Sequence, residues 1–326
     1  MALPNCRIAS PSGCSEYSSN ATAVCNSSVS LVTGTTSVFL IGAVFAFVWG
    51  GVSLSIDFKG GTRVSYSYEG DVDFDAVQDK VQTAIGKDVI ISENVGLSGD
   101  SKTLIVTLVG DESLSTDSQQ KIEEVLTENF ADNKFAFEES KSVSPSLAGA
   151  FFLKCLVAVV IAGALVTVYV GIRFKKIGGV SAAVTAFAAL FLDVFAAFFT
   201  CTIFNLAIDM NFVAVLLTLL GYSLNDTIVI FDRIREDRAL YHKLSTVELV
   251  NGAVNKVKTR SIITTVTTFL AVVMIIVVAE FFGLSSLRSF AIPMAIGLVS
   301  GCTSSLFVSP MLWVYWKDNT AKKAKN

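Results

Sequence analysis

The sequence predicts a membrane α-helical protein: a six-helix transmembrane bundle with an α+β domain inserted between helices 1 and 2. Three observations predict it. The 326 residues are 52% hydrophobic and only 16% charged, against about 25% charge in an average soluble domain, and the mean hydropathy is +0.61. Six apolar stretches are long enough to cross a hydrocarbon core of about 30 Å, which takes roughly 20 helical residues. Between the first two lies a polar block of different charge. Residues 57–146 hold 18 acids and 8 bases, net −10, while the remaining 10 acids and 17 bases net +7. Such a composition excludes a disordered chain, a soluble enzyme and a nucleic-acid binder.

Residues 1–36 are a polar, Ser-rich tail. Its Cys6, Cys14 and Cys25 match no zinc spacing. The first span, 37–55, carries Gly42, Gly50 and Gly51. Polar residues precede it and no basic region does, so it is expected to be retained rather than cleaved as a signal peptide.

Residues 56–146 form the inserted domain. GTRVSYSY at 61–68 alternates as a half-buried strand does. Asp73 to Ile85 places Phe74, Val77, Val81, Ala84 and Ile85 at helical spacing. Strands are predicted at 88–95 and 102–109, with a turn at Gly99 and Asp100. A helix over 116–130 has Ile122, Val125, Leu126 and Phe130 as its apolar stripe, and a last strand covers 134–143. The order β-α-β-β-α-β predicts a ferredoxin-like split βαβ unit, a fold that by itself assigns no function. Helices 2–6, within 147–316, are predicted at 147–172, 178–204, 207–231, 262–282 and 286–316, and 317–326 is a basic tail.

Lys and Arg in short loops set orientation. Arg173, Lys175 and Lys176 follow the second span. Arg233, Arg235, Arg238, Lys243, Lys256 and Lys258 follow the fourth, and Lys317, Lys322, Lys323 and Lys325 lie in the tail. The opposite connections are nearly uncharged. Both termini are therefore expected in the cytoplasm of a multi-pass plasma (inner) membrane protein, with 56–146 outside. That topology puts the sequons at Asn20 and Asn26 on the wrong side for glycosylation.

A charge at the bilayer centre costs about 2.5–3.5 kcal/mol on insertion scales, so each one needs a reason. Lys154, early in the second span, can snorkel to the interface. Asp193 is too short and too deep to do so. Asp226 keeps polar company in Tyr222, Ser223, Asn225 and Thr227. Arg260, read as opening the fifth span, is followed by Ser261, Thr264, Thr265 and Thr268 on one helix face. A hydroxyl face beside a membrane carboxylate can solvate a proton or ion path, or it can glue helices together. Gly297, Gly301 and Ser305 form a small-residue stripe suited to close helix packing. There is no phosphate loop, nucleophile elbow or metal-ligand spacing; the sole histidine is His242. No enzyme activity, cofactor or metal is expected.

Three classes remain at this point: a gradient-driven transport subunit, a structural or assembly protein with a partner-binding outer domain, and a small permease. A resemblance separates them. Ser55-Ile-Asp-Phe-Lys-Gly-Gly-Thr62, with Asp57, Gly60 and Gly61, resembles the GIDFxGG element of the SecD/SecF protein-export family. Gly221-Tyr-Ser-Leu-Asn-Asp-Thr-Ile-Val-Ile-Phe-Asp-Arg-Ile-Arg-Glu236 resembles the fourth-helix signature of the SecF branch, and Arg260-Ser-Ile-Ile-Thr-Thr-Val-Thr-Thr268 is similar to the start of its fifth helix. Asp193-Val194 is similar to an acidic position in its third. The likeness runs from about residue 37 to 316. Ser55 stands where the family has glycine, and Leu192 stands where bacterial relatives have histidine, so no His–Asp relay is available there.

The resemblance implies an RND-like complex in which this subunit pairs with a SecD-like subunit and the Sec translocon (SecYEG-type). Such a complex uses the proton-motive force to help export secreted polypeptides. It further implies that Asp226 binds the proton, that Arg260 is its cationic partner, that Asp193 is an accessory polar site, and that Gly60 and Gly61 are hinge positions.

Overall fold

The structure is a computed structural model that describes residues 54–70, 72–86, 88–95, 102–108, 116–130, 133–204, 206–242 and 244–323. The polar tail with its cysteines and sequons, nearly all of the first span, the turn at Gly99–Asp100 and Lys243 lie outside them.

The first described residues are not helical. Leu54 forms a parallel bridge with Ile208, and the Ser55 N–H donates to the Ile208 carbonyl at 3.0 Å. Leu54 and Ser55, the end of the predicted first span, are therefore not helical. A single helical turn, α1 (Ile56–Lys59), follows and ends at Gly60 and Gly61. Both glycines have positive φ, 79° and 127°. A Cβ on Gly60 would lie 2.6 Å from Pro145 Cα, and one on Gly61 would lie 2.3 Å from the Leu108 carbonyl oxygen. Close approach as well as backbone freedom demands glycine here.

The inserted domain then runs β1 (Gly61–Tyr68), α2 (Phe74–Ile85), β2 (Val89–Val95), β3 (Lys102–Leu108), α3 (Thr116–Asn129) and β4 (Ala136–Val143). Asp73 caps α2 by accepting from the Asp75 and Ala76 N–H groups, and Gly86 closes it in the left-handed conformation. The sheet order is β2-β3-β1-β4, with all neighbours antiparallel. Val64, Tyr66 and Tyr68 of β1 alternate into a core with Val77 and Val81 of α2 and Ile122 and Leu126 of α3. Burial, together with the nearby Glu123 carboxylate, raises the Tyr66 phenol well above its ordinary range.

Among the described residues, five helices are long and apolar enough to cross a membrane. They are α4 (Pro145–Arg173), α5 (Gly179–Ile203), α6 (Met210–Leu240), α7 (Thr246–Phe282) and a composite of α8 (Ser285–Thr303), a π-helical turn (Ser304–Val308) and α9 (Ser309–Lys323). Pro145 occupies the first turn of α4, Asp209 caps α6, and Ser245 with Glu248 forms a capping box on α7. Three helices clearly exceed the predicted spans, α9 by running to Lys323 into the predicted basic tail. Helix α6 continues past residue 231 on i,i+3 and i,i+4 ion pairs of Arg233 with Glu236 and Asp237 and of Arg235 with Asp232. Helix α7 begins sixteen residues before 262, so Arg260 lies well inside a helix rather than at its start.

The bundle is held by two apolar clusters, one around Phe174, Phe231 and Trp313 and one around Phe212, Leu219 and Leu298. Gly297 belongs to the second contact. A Cβ there would stand 2.3 Å from Leu219 Cδ1, so glycine lets α8 close onto α6. Asp232 pairs with Arg173 at 3.2 Å and Asp237 with Lys256 at 2.8 Å, tying α4 and α7 to α6 at one end. Leu153, Val160, Leu165 and Ile172 of α4 and Ile263, Met274 and Phe281 of α7 remain exposed, as lipid-facing residues are.

Candidate functional site

Two carboxylates lie inside the bundle, in contrasting surroundings. Asp193 of α5 is 1% exposed. Its Oδ2 accepts from Ser223 Oγ of α6 at 2.6 Å and from Ser304 Oγ at 2.9 Å, and its Oδ1 accepts from Ser300 Oγ of α8 at 2.9 Å. Three hydroxyls, from α6, α8 and the π-helical turn, thus satisfy one carboxylate, as a buried charge requires. A further layer supports them. Ser305 Oγ and Thr227 Oγ1 both donate to the Ser223 carbonyl, at 3.1 and 3.0 Å, and Thr227 Oγ1 lies 3.2 Å from Ser305 Oγ. Gly301 sits directly over the cage, since a Cβ there would lie 3.4 Å from Ser223 Cβ and 3.7 Å from Asp193 Oδ2.

Asp226 lies three residues beyond Ser223 and is 4% exposed. Ser261 of α7 lies beside its carboxyl group, and Arg260 supplies the nearby positive charge. Among the described residues its Oδ2 is buried without a hydrogen-bond partner, and no ion pair within 4.0 Å links it to Arg260, whose side chain is exposed. Tyr222 Oη donates to Thr265 Oγ1 at 3.2 Å, and Cys302 of α8 lies beside Thr265. Asp226, Ser261, Thr265, Tyr222 and Cys302 therefore join α6, α7 and α8 in one polar seam.

The predicted residues divide accordingly. Asp193, Ser223, Thr227 and Ser305 meet around the first carboxylate, and Ser261, Thr265 and Tyr222 lie at or beside the second. Thr264 and Thr268 return their hydroxyls to carbonyls of their own helix, at Arg260 and Thr264. Asn225 is exposed on the outer face of α6. Asp57 is far from both carboxylates. It pairs with Lys141 of β4 at 2.7 Å and accepts from the Met210 N–H at 3.4 Å. Among the described residues no three His, Cys, Asp or Glu side chains gather as metal ligands.

Ser300 and Ser304 escaped the sequence reading. A Ser at i and i+4 flanking Gly301 was the available signal, and the π turn that begins at Ser304 obscured it.

The profile of a family described as protein export membrane protein SecD/SecF, C-terminal, matches residues 121–319. The chain belongs to the SecD/SecF protein-export family. Within it the chain is SecF-like. It is 33% identical over 290 residues to the protein translocase subunit SecF of Alicyclobacillus acidocaldarius, covering 87% of this chain and 89% of that one. It is 31% identical over 285 residues to SecF of Cereibacter sphaeroides, covering 86% and 85%. The crystal structure of SecDF from Thermus thermophilus, a translocon-associated membrane protein, matches with a TM-score of 0.76 at 27% identity, over 89% of this chain. The chain spans only 38% of that SecDF chain, and 35% of the SecDF of Bacillus subtilis, to which it is 32% identical. In both SecDF matches the chain covers little more than a third of a longer polypeptide.

Proposed function

We propose that this chain is a SecF-like subunit that promotes export of secreted polypeptides with a SecD-like partner and a SecYEG-type translocon, driven by the proton gradient. The observation that carries the proposal is Asp226: a mid-helix carboxylate with Ser261 beside it, one oxygen buried without a partner among the described residues, and Arg260 close by. Such a group is unstable as a fixed charge and suited to gaining and losing a proton. A unit charge crossing 100 mV supplies about 2.3 kcal/mol. Asp193 stands apart in this reading. Three hydroxyl donors stabilise it in one state, so it serves as the fixed polar pivot against which α6 moves.

Residues 56–146 are read as a ferredoxin-like domain, which the β2-β3-β1-β4 order supports, and as facing outward. The basic residues at the Arg173, Arg235, Lys256 and Lys317 end support a cytoplasmic location for that end. Counting the apolar run from residue 37 as a span gives six. Asp57 and the two glycines then form the junction through which movement of α6 reaches the domain. The reading assigns no enzymatic step.

The test is gradient-dependent export in inside-out membrane vesicles carrying Asp226→Asn. Assembly with a SecD-like partner should persist while stimulation by the gradient is lost. Full stimulation in that variant would make Asp226 a packing residue and overturn the proposal.

A further inference from the structure

At the junction between the inserted domain and the bundle, a cleft of about 290 Å³ opens beside α4. Asp57, Lys141 and Lys154 line its polar part, and Leu147, Phe151 and Met210 its apolar part. The Asp57 carboxylate is committed to Lys141 at 2.7 Å. Lys154 has no carboxylate within 4.0 Å among the described residues, and its side chain is exposed. The cleft thus carries one uncompensated positive charge next to an apolar wall.

Its depth in the membrane follows from α4 itself. Lys154 and Arg173 are nineteen residues apart on a continuous helix, about 28 Å at about 1.5 Å per residue. The hydrocarbon core is about 30 Å thick. With Arg173 at one interface, Lys154 stands at the other, where lipid phosphates lie.

We propose that this cleft binds one anionic phospholipid, its phosphodiester at Lys154 beside the Lys141–Asp57 pair and its acyl chains along Leu147 and Phe151. The charge balance selects the ligand: one net positive charge is neutralised by a lipid of charge −1, such as phosphatidylglycerol. A zwitterionic lipid would leave it uncompensated. The proposal rests on membrane insertion and not on proton coupling, so it stands or falls separately from the role of Asp226.

The experiment is native mass spectrometry of the full chain in mild detergent, titrated with phosphatidylglycerol, with phosphatidylcholine or with inorganic phosphate. A single phosphatidylglycerol should bind, and Lys154→Gln should weaken it about fivefold, equivalent to about 1 kcal/mol at 1.4 kcal/mol per decade. Lys154→Arg should bind as the parent does, phosphatidylcholine should show no dependence on residue 154, and Asp226→Asn should keep the lipid. An unchanged melt followed by Trp313 fluorescence shows that the variants are folded. Equal binding by the parent and Lys154→Gln would overturn the proposal, and so would displacement of the lipid by inorganic phosphate. Absence of bound phosphatidylglycerol from the parent would overturn it too.

Discussion

Substituting Ser304→Ala isolates the cage around Asp193. The change removes one of three hydroxyl donors and leaves Oδ2 with Ser223 alone. Hydrogen bonds to a charged group contribute about 1.5–3 kcal/mol in water-soluble proteins, whereas interhelical bonds in membranes average about 0.6 and reach about 1.7 kcal/mol. Asp193 is 1% exposed and charge-assisted bonding favours the upper end, so the expected loss is about 1.5 kcal/mol. The cleaner quantity is the coupling with Asp193→Asn. An amide lacks the charge, and its NH₂ group cannot accept, so Ser304→Ala should cost less in that background by about 1 kcal/mol. Equilibrium unfolding in mixed micelles with rising dodecyl sulfate reports this, using fluorescence of the buried Trp313. Strictly additive losses, with coupling below about 0.3 kcal/mol, would refute the reasoning that the serines act through the carboxylate.

Three further outcomes follow from the packing and charges. Gly297→Val should destabilise by about 1–3 kcal/mol through overpacking against Leu219, and Leu219→Ala in the same chain should recover part of the loss in the same unfolding assay. Tyr66 is held protonated above the ordinary phenol range by burial. Its contribution is therefore complete below the unfolded phenol value near about 10, and it is lost as pH rises beyond that value towards the folded one. Alkaline titration of phenolate absorbance should show a late-ionising component that Tyr66→Phe removes. Single cysteines at Ser92 and Ser245 should label from opposite sides of sealed vesicles; labelling from one side would contradict the orientation proposed for residues 56–146.

The spans were legible because hydropathy reports the part of a helix that lies in lipid. For the same reason their ends were not. The continuation of α6 to Leu240 is charged, and the first turns of α7 from Thr246 are polar, so neither registers as apolar although ion pairs and a capping box make both helical. The single turn Ile56–Lys59 is too short for periodicity to reveal. Around the carboxylates, Ser261 and Thr265 could be placed from i,i+4 spacing, because Asp226 and the hydroxyl face both stand out from an apolar background. Ser300 and Ser304 could not, since serine is unremarkable in a membrane helix and the π turn changes the phase between Thr303 and Ser309. Ser305 was legible as a small residue but not as a hydrogen-bonding one, a role set by where Ser223 and Thr227 arrive from α6. Arg260 was expected beside Asp226, and its exposed side chain and mid-helix position depend on where α7 begins.

The central claim is that Asp226 changes protonation while Asp193 does not. Infrared difference spectra of the reconstituted protein, taken between acid and neutral pH, read this from the carboxylic C=O stretch. The account predicts a pH-dependent buried carboxyl band that Asp226→Asn abolishes and Asp193→Asn leaves in place. A band that survives Asp226→Asn and disappears with Asp193→Asn would contradict it.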